Sequence, residues 1–206
     1  SQYSLGDLYL KGKYVQQNID KAIQYITLAA DQNHIEAQYV LGNIFLEGEY
    51  SLYDIRKAIK YLTLAANQNH PIAQYLLGDI YYNNDNEIKD IQKAIYYFTL
   101  AANQNNSEAQ FELFNLYYKA KYIKQDINLA FHYLKLAADQ NNLDAFYNIG
   151  VIYTEGIHVK LDEKKAFHYF LLAANADHTE SQFIVGCIYL NSVVIPQDIK
   201  KAIYYF

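Results

Sequence analysis

The frame Ala-Ala-x-Gln-Asn constrains this chain more than any other feature. It stands complete at Ala65-Ala66-Asn67-Gln68-Asn69, and its first alanine recurs at Ala29, Ala65, Ala101, Ala137 and Ala173. The differences (65 − 29, 101 − 65, 137 − 101, 173 − 137) are all 36. A constant period of this size restricts a chain to a stacked array, because one short unit can bury its apolar face only against its neighbours. With Ser1, Ala37, Ala73, Ala109, Ala145 and Ser181 as position 1, the chain holds five full repeats and a sixth cut at Phe206. The expected organisation is one array over 1–206, in repeats 1–36, 37–72, 73–108, 109–144, 145–180 and 181–206. The chain lacks Met and opens at Ser1 in mid-pattern, so it reads as a segment of a longer protein.

Each repeat spells two helices. Positions 1, 5, 8 and 9 share one helical face, and they are Ala37, Leu41, Ile44 and Phe45, then Ala73, Leu77, Ile80 and Tyr81. A polar residue at position 34, such as Asn106 or Asn142, precedes this first helix as a cap. Pro71 fits the first helical position, and Glu36, Glu108, Asp144 and Glu180 suit the positive end of the helix. Gly12, Gly48 and Gly156 predict its stop. The second helix follows a cap at Asn18, Asp54, Asp90, Asp126, Asp162 or Asp198. Its core face carries Ala58, Tyr61, Leu62 and Ala65, with Leu64 and Ala66 expected to widen it. Asn33, Asn69, Asn105 and Asn141 are expected to end it in the left-handed conformation.

A composition 52% hydrophobic and 16% aromatic, with 23 Tyr, supplies an ample core. No run reaches the roughly 18 apolar residues of a membrane helix, so no membrane insertion is expected. Seventeen Lys+Arg against 22 Asp+Glu give a formal charge of −5, the wrong sign for a nucleic-acid surface. The single cysteine, Cys187, allows no intrachain disulfide and fits a reducing, cytoplasmic setting.

The titratable residues point to no chemistry. His34, His70 and His178 share position 34, and equivalent atoms of adjacent repeats lie about 10 Å apart. A zinc ligand sits at about 2 Å from its metal, so one ion cannot join them, and the same objection meets His132 and His168. Asp85, Glu87 and Asp90 read as a solvated turn with a cap. No phosphate loop and no nucleophile–base pattern is present. The expectation is a non-enzyme without metal or cofactor.

The frame Ala-Gln-Tyr-x-Leu-Gly-x-Ile-Tyr/Phe, then Gly, Asp-x-x-Lys-Ala-x-x-Tyr and Leu-Ala-Ala-x-Gln-Asn resembles the Sel-one-like repeat family, relatives of the tetratricopeptide repeats. Its clearest copy is Ala37 to Ile72, and the resemblance spans the chain. It implies an all-α, right-handed α-solenoid of antiparallel helix pairs that serves as a scaffold or adaptor for other proteins, often beside another domain such as a kinase. Two turn positions depart from the family. Asn33, Asn69, Asn105, Asn141 and Asp177 stand where it usually has Gly, as do Tyr14, Tyr50, Asn86, Tyr122, His158 and Val194. Phe114 replaces the Gly of Gly6, Gly42, Gly78, Gly150 and Gly186, and a local repacking or a change of curvature is expected there.

One surface feature remains. Position 3 is Tyr3, Tyr39, Tyr75, Phe111, Tyr147 and Phe183. At 100° per residue it points opposite the core face of the first helix, and by the resemblance first helices line the concave side. The expected function is docking of a protein or peptide segment on these rings, with Asn43, Asp79 and Asn115, and Glu47, Asn83 and Lys119, as polar neighbours. The other reading of the rings is structural stacking between repeats. A pentatricopeptide-like RNA binder is the alternative function that the acidic balance disfavours. A third is a regulatory region attached to a catalytic domain outside these residues.

Overall fold

In a computed structural model of the chain, residues 1–48, 50, 52–83 and 88–206 are described. Asp85, Asn86 and Glu87 therefore lie outside the described residues. Twelve α-helices and no strand occur among those described: α1 (Gln2–Lys11), α2 (Ile19–Asp31), α3 (Ile35–Glu47), α4 (Ile55–Asn67), α5 (Pro71–Asn83), α6 (Ile91–Ala102), α7 (Ser107–Lys119), α8 (Ile127–Asp139), α9 (Leu143–Glu155), α10 (Glu163–Asn175), α11 (Thr179–Asn191) and α12 (Ile199–Tyr205). This is an α-solenoid of helix pairs. Odd-numbered helices are the first of each repeat and even-numbered ones the second.

The ends of the helices follow from the repeated polar residues. Each second helix is capped by the side chain of Asn18, Asp54, Asp90, Asp126, Asp162 or Asp198, which accepts from a backbone N–H in the first turn. First helices use position 34. Asn142 Oδ1 accepts from the Ala145 N–H at 2.9 Å, and the Nδ1 atoms of His34, His70 and His178 do the same for Ala37, Ala73 and Ser181. The histidines are thus caps. The left-handed turns predicted after the second helices are present without glycine, at φ 67 for Asn33, 63 for Asn69, 60 for Asn105, 59 for Asn141 and 65 for Asp177. At the other turn position Tyr50 and His158 also adopt positive φ.

The chain falls into two compact units, Ser1–Asn106 and Ser107–Phe206. In the first, α1–α6 bury Ala37, Leu41, Ala73 and Leu77 of the first helices against Ile26, Leu62 and Phe98 of the second. The close approach depends on position 6. A Cβ built on Gly42 would lie 2.7 Å from Leu62 Cγ and 3.0 Å from the Leu62 backbone nitrogen. Gly6 against Ile26 and Gly78 against Phe98 repeat the arrangement. Leu64 is 37% exposed. It does not widen the core as expected, whereas Ala66, at 3%, does.

The second unit, α7–α12, contains the exception. Phe114 takes the glycine position and is buried, in one cluster with Ala130 and Leu134 and against the rings of Phe111 and Tyr118. Between α8, α9 and α10 a cavity of about 200 Å³ opens, lined by Phe131, Leu134, Ile149 and Tyr169 among others. Phe114 does not line this space.

Candidate functional site

The position-3 rings do not stand clear of the core. Tyr3, Tyr39, Tyr75, Phe111 and Tyr147 are half-buried, and only Phe183 is largely exposed, at 62%. Tyr3 stacks on His34 at 4.7 Å between centroids and Tyr39 on His70 at 4.5 Å, while Tyr147 meets His178 at 5.2 Å in a tilted pair. Tyr75 and Tyr147 also meet Phe98 and Phe170 of the second helices, and Phe183 meets Phe206 just after α12, at 5.8–5.9 Å. This corrects the expectation of outward rings. The helical projection measures position 3 against one core direction, whereas a helix inside a stack is packed from two sides. At Tyr3, Tyr39 and Tyr147 the histidine that caps the following first helix lies against the ring, which stays half-buried.

Around these rings the first helices carry a polar stripe. Residues spaced three or four apart share a helix face, so Glu36, Tyr39, Asn43 and Glu47 line one stripe of α3. On α1 it runs Tyr3, Asp7, Lys11, with Lys11 Nζ 2.9 Å from Asp7 Oδ2. On α5 it runs Tyr75, Asp79, Asn83, with Asn83 Nδ2 donating to Asp79 Oδ1 at 2.6 Å. In the second unit Asn115 is half-buried on the same stripe of α7. Burial, and then the neighbouring Glu36 carboxylate, raise the phenols of Tyr3 and Tyr39 above their ordinary value; Asp7 adds to this at Tyr3 and Glu47 at Tyr39. These hydroxyls remain protonated donors at neutral pH. The nine proposed residues thus divide by unit: Tyr3, Tyr39, Tyr75, Asn43 and Asp79 in the first, Phe111, Tyr147, Phe183 and Asn115 in the second.

Among the described residues no group of three or more His, Cys, Asp or Glu is gathered that could hold a metal ion. Also among them, no helix is long and apolar enough to cross a membrane. Cys187 is half-buried, at the edge of a groove of about 560 Å³ beside Phe183 and Asn191.

The Sel1 repeat family model matches six consecutive segments, residues 1–34, 35–70, 71–106, 107–142, 144–178 and 179–206. The chain belongs to the Sel1 repeat family. No curated protein sequence matches it. Among solved structures, this Sel1 array is similar to the protective antigen c5321 of uropathogenic Escherichia coli at TM-score 0.92 and 24% identity, covering 99% of this chain and 44% of that one. It is similar to a Sel1 repeat protein from Oxalobacter formigenes at TM-score 0.85 and 29% identity, covering 99% of this chain and 59% of that one. It also resembles the immunity protein PA5088 of Pseudomonas aeruginosa at TM-score 0.61 and 21% identity, covering 97% and 78%. The chain thus spans about half the length of the first two.

Two features of the Sel1 array escaped the sequence reading. Positions 9 and 25 stack in every repeat, from Tyr9–Tyr25 at 6.0 Å to Tyr189–Tyr205 at 6.1 Å, and a position-21 lysine lies over the position-9 ring in five of them, as Lys93 does over Tyr81 at 5.0 Å. Buried amides form the second. Gln68 Nε2 donates to Gln38 Oε1, and Gln104 Nε2 to Gln74 Oε1, both at 2.7 Å. Gln38 and Gln74 in turn donate to the carbonyls of Ala30 and Ala66. The signal lay in the fifth repeat, where Phe146 and Ala176 replace both members of the glutamine pair together.

Proposed function

We propose that this array is a protein-interaction scaffold, and that the first-helix face of each unit docks a segment of another protein. The observation that carries this reading is the recurrence of a half-buried aromatic ring at one position of successive first helices, beside half-buried polar side chains such as Asn43 and Asn115. Aromatic groups with a polar tip offer large contact area at low entropic cost. No catalytic constellation competes for the same face in this reading.

The test uses residues that flank the rings without supporting them. Asn43→Arg in the first unit and Asn115→Arg in the second should leave the thermal melt nearly unchanged. Each should reduce the protein captured from the producing cell's lysate. Capture at parental yield by both variants would show that the docking surface lies elsewhere.

A further inference from the structure

Charge is sorted between the two helix sets. In the first unit the first helices carry Asp7, Glu36, Glu47 and Asp79 against Lys11 alone, while the second helices carry two carboxylates against five cations. In the second unit the first helices carry Glu108, Glu112, Asp144, Glu155 and Glu180 against Lys119, and the second helices again two against five. The Asp caps bring the second helices close to balance, since Asp54 and Asp90 pair with Lys57 and Lys93 at 3.4 Å. On the first helices Asp7 pairs with Lys11 at 2.9 Å, and Glu36 and Asp144 lie 3.6 and 3.5 Å from the Nε2 atoms of His70 and His178, yet carboxylates still outnumber lysines there.

The carboxylates are also placed on the aromatic stripe. Positions 36, 3, 7 and 11 are three or four residues apart and share one face. On α3 they read Glu36, Tyr39, Asn43, Glu47; on α9, Asp144, Tyr147, Val151, Glu155. A ring is bracketed by a carboxylate on either side. The side chains of Glu36, Asp144 and Glu180 are 49%, 61% and 70% exposed.

We propose that this stripe, in each unit, docks a lysine- or arginine-rich segment of a partner protein. The inference rests on the first-helix docking face proposed above and specifies its occupant. Lysine and arginine combine an apolar stem with a charged head. The accessible part of the half-buried ring takes the stem, and the bracketing carboxylates pair with the head. The same charges repel a nucleic-acid backbone and an acidic peptide.

The experiment presents the 206-residue protein to an array of short peptides of random sequence. Retained peptides are expected to be enriched in Lys and Arg, and their binding should weaken as salt is raised. The double variants Glu36→Gln/Glu47→Gln and Asp144→Asn/Glu155→Gln should each lower affinity roughly two- to fivefold per carboxylate removed, with unchanged circular dichroism. Retained peptides with no basic enrichment, no retained peptide at all, or variants that bind basic peptides as tightly as the parent would each overturn the inference. Peptides that are not basic, yet are still released by Asn43→Arg or Asn115→Arg, would overturn this occupant while leaving the docking face standing.

Discussion

At the scale of the residue, two positions carry most of the packing argument. Gly42 admits no side chain, because a Cβ there meets Leu62 at both its side chain and its backbone. Gly42→Ala should cost about 1–3 kcal/mol through overpacking, read as a lower denaturation midpoint. Phe114 fills the equivalent place with a buried ring, so Phe114→Ala should cost about 3–5 kcal/mol. A fourth repeat that tolerated alanine without loss would mean that α7 and α8 collapse onto the space. The position-3 rings belong to the same scale. Tyr39 stacks on His70, so Tyr39→Ser should lower stability, with about 0.5–1.5 kcal/mol from the ring pair alone, measured by thermal melt. From the helical projection alone, no change would be expected. Glycine spacing, apolar positions and capping residues were legible because each obeys a local rule. The covering of Tyr39 by His70 was not, since it arises only when the cap of one first helix packs against the first helix before it.

At the scale of the element, the caps set the helix ends. Asn142→Ala removes the acceptor for the Ala145 N–H and should cost about 1 kcal/mol. The Asp54 and Asp90 caps lie below their ordinary carboxylate value of 3.8, chiefly because the backbone N–H groups of Lys57 and Lys93 donate to the charged form. A depressed folded-state value gives stability that is present above the unfolded value and lost as pH falls through the folded one. Asp90→Asn keeps a cap but cannot titrate, so its melting temperature should fall less than that of the parent on going from about pH 5 to about pH 2. Parallel profiles would show that Asp90 contributes nothing to acid sensitivity. The helix α12 has seven residues, with Ile203 and Tyr204 mostly exposed, and hydrogen exchange should be fastest there. Protection in α12 equal to that in α4 would contradict this.

At the scale of the whole molecule, the period identified a stacked array, and the apolar spacing and caps within each 36-residue unit identified its two helices. The family followed from the same frame. The division at Asn106 into two units was not legible, since no insertion, proline or glycine marks it. The sorting of charge between first and second helices was hidden within a net charge of −5, and it emerges only when each residue is assigned to its helix. The aromatic column was legible as a column, but not as a half-covered one. The central claim is that partners meet the first helices. It is tested most directly by site-specific photo-crosslinking in the producing cell, with a photoreactive residue placed at Asn43 on α3 or at Lys60 on α4. The account predicts a discrete protein adduct from position 43 and none from position 60; an adduct from position 60 alone would contradict it.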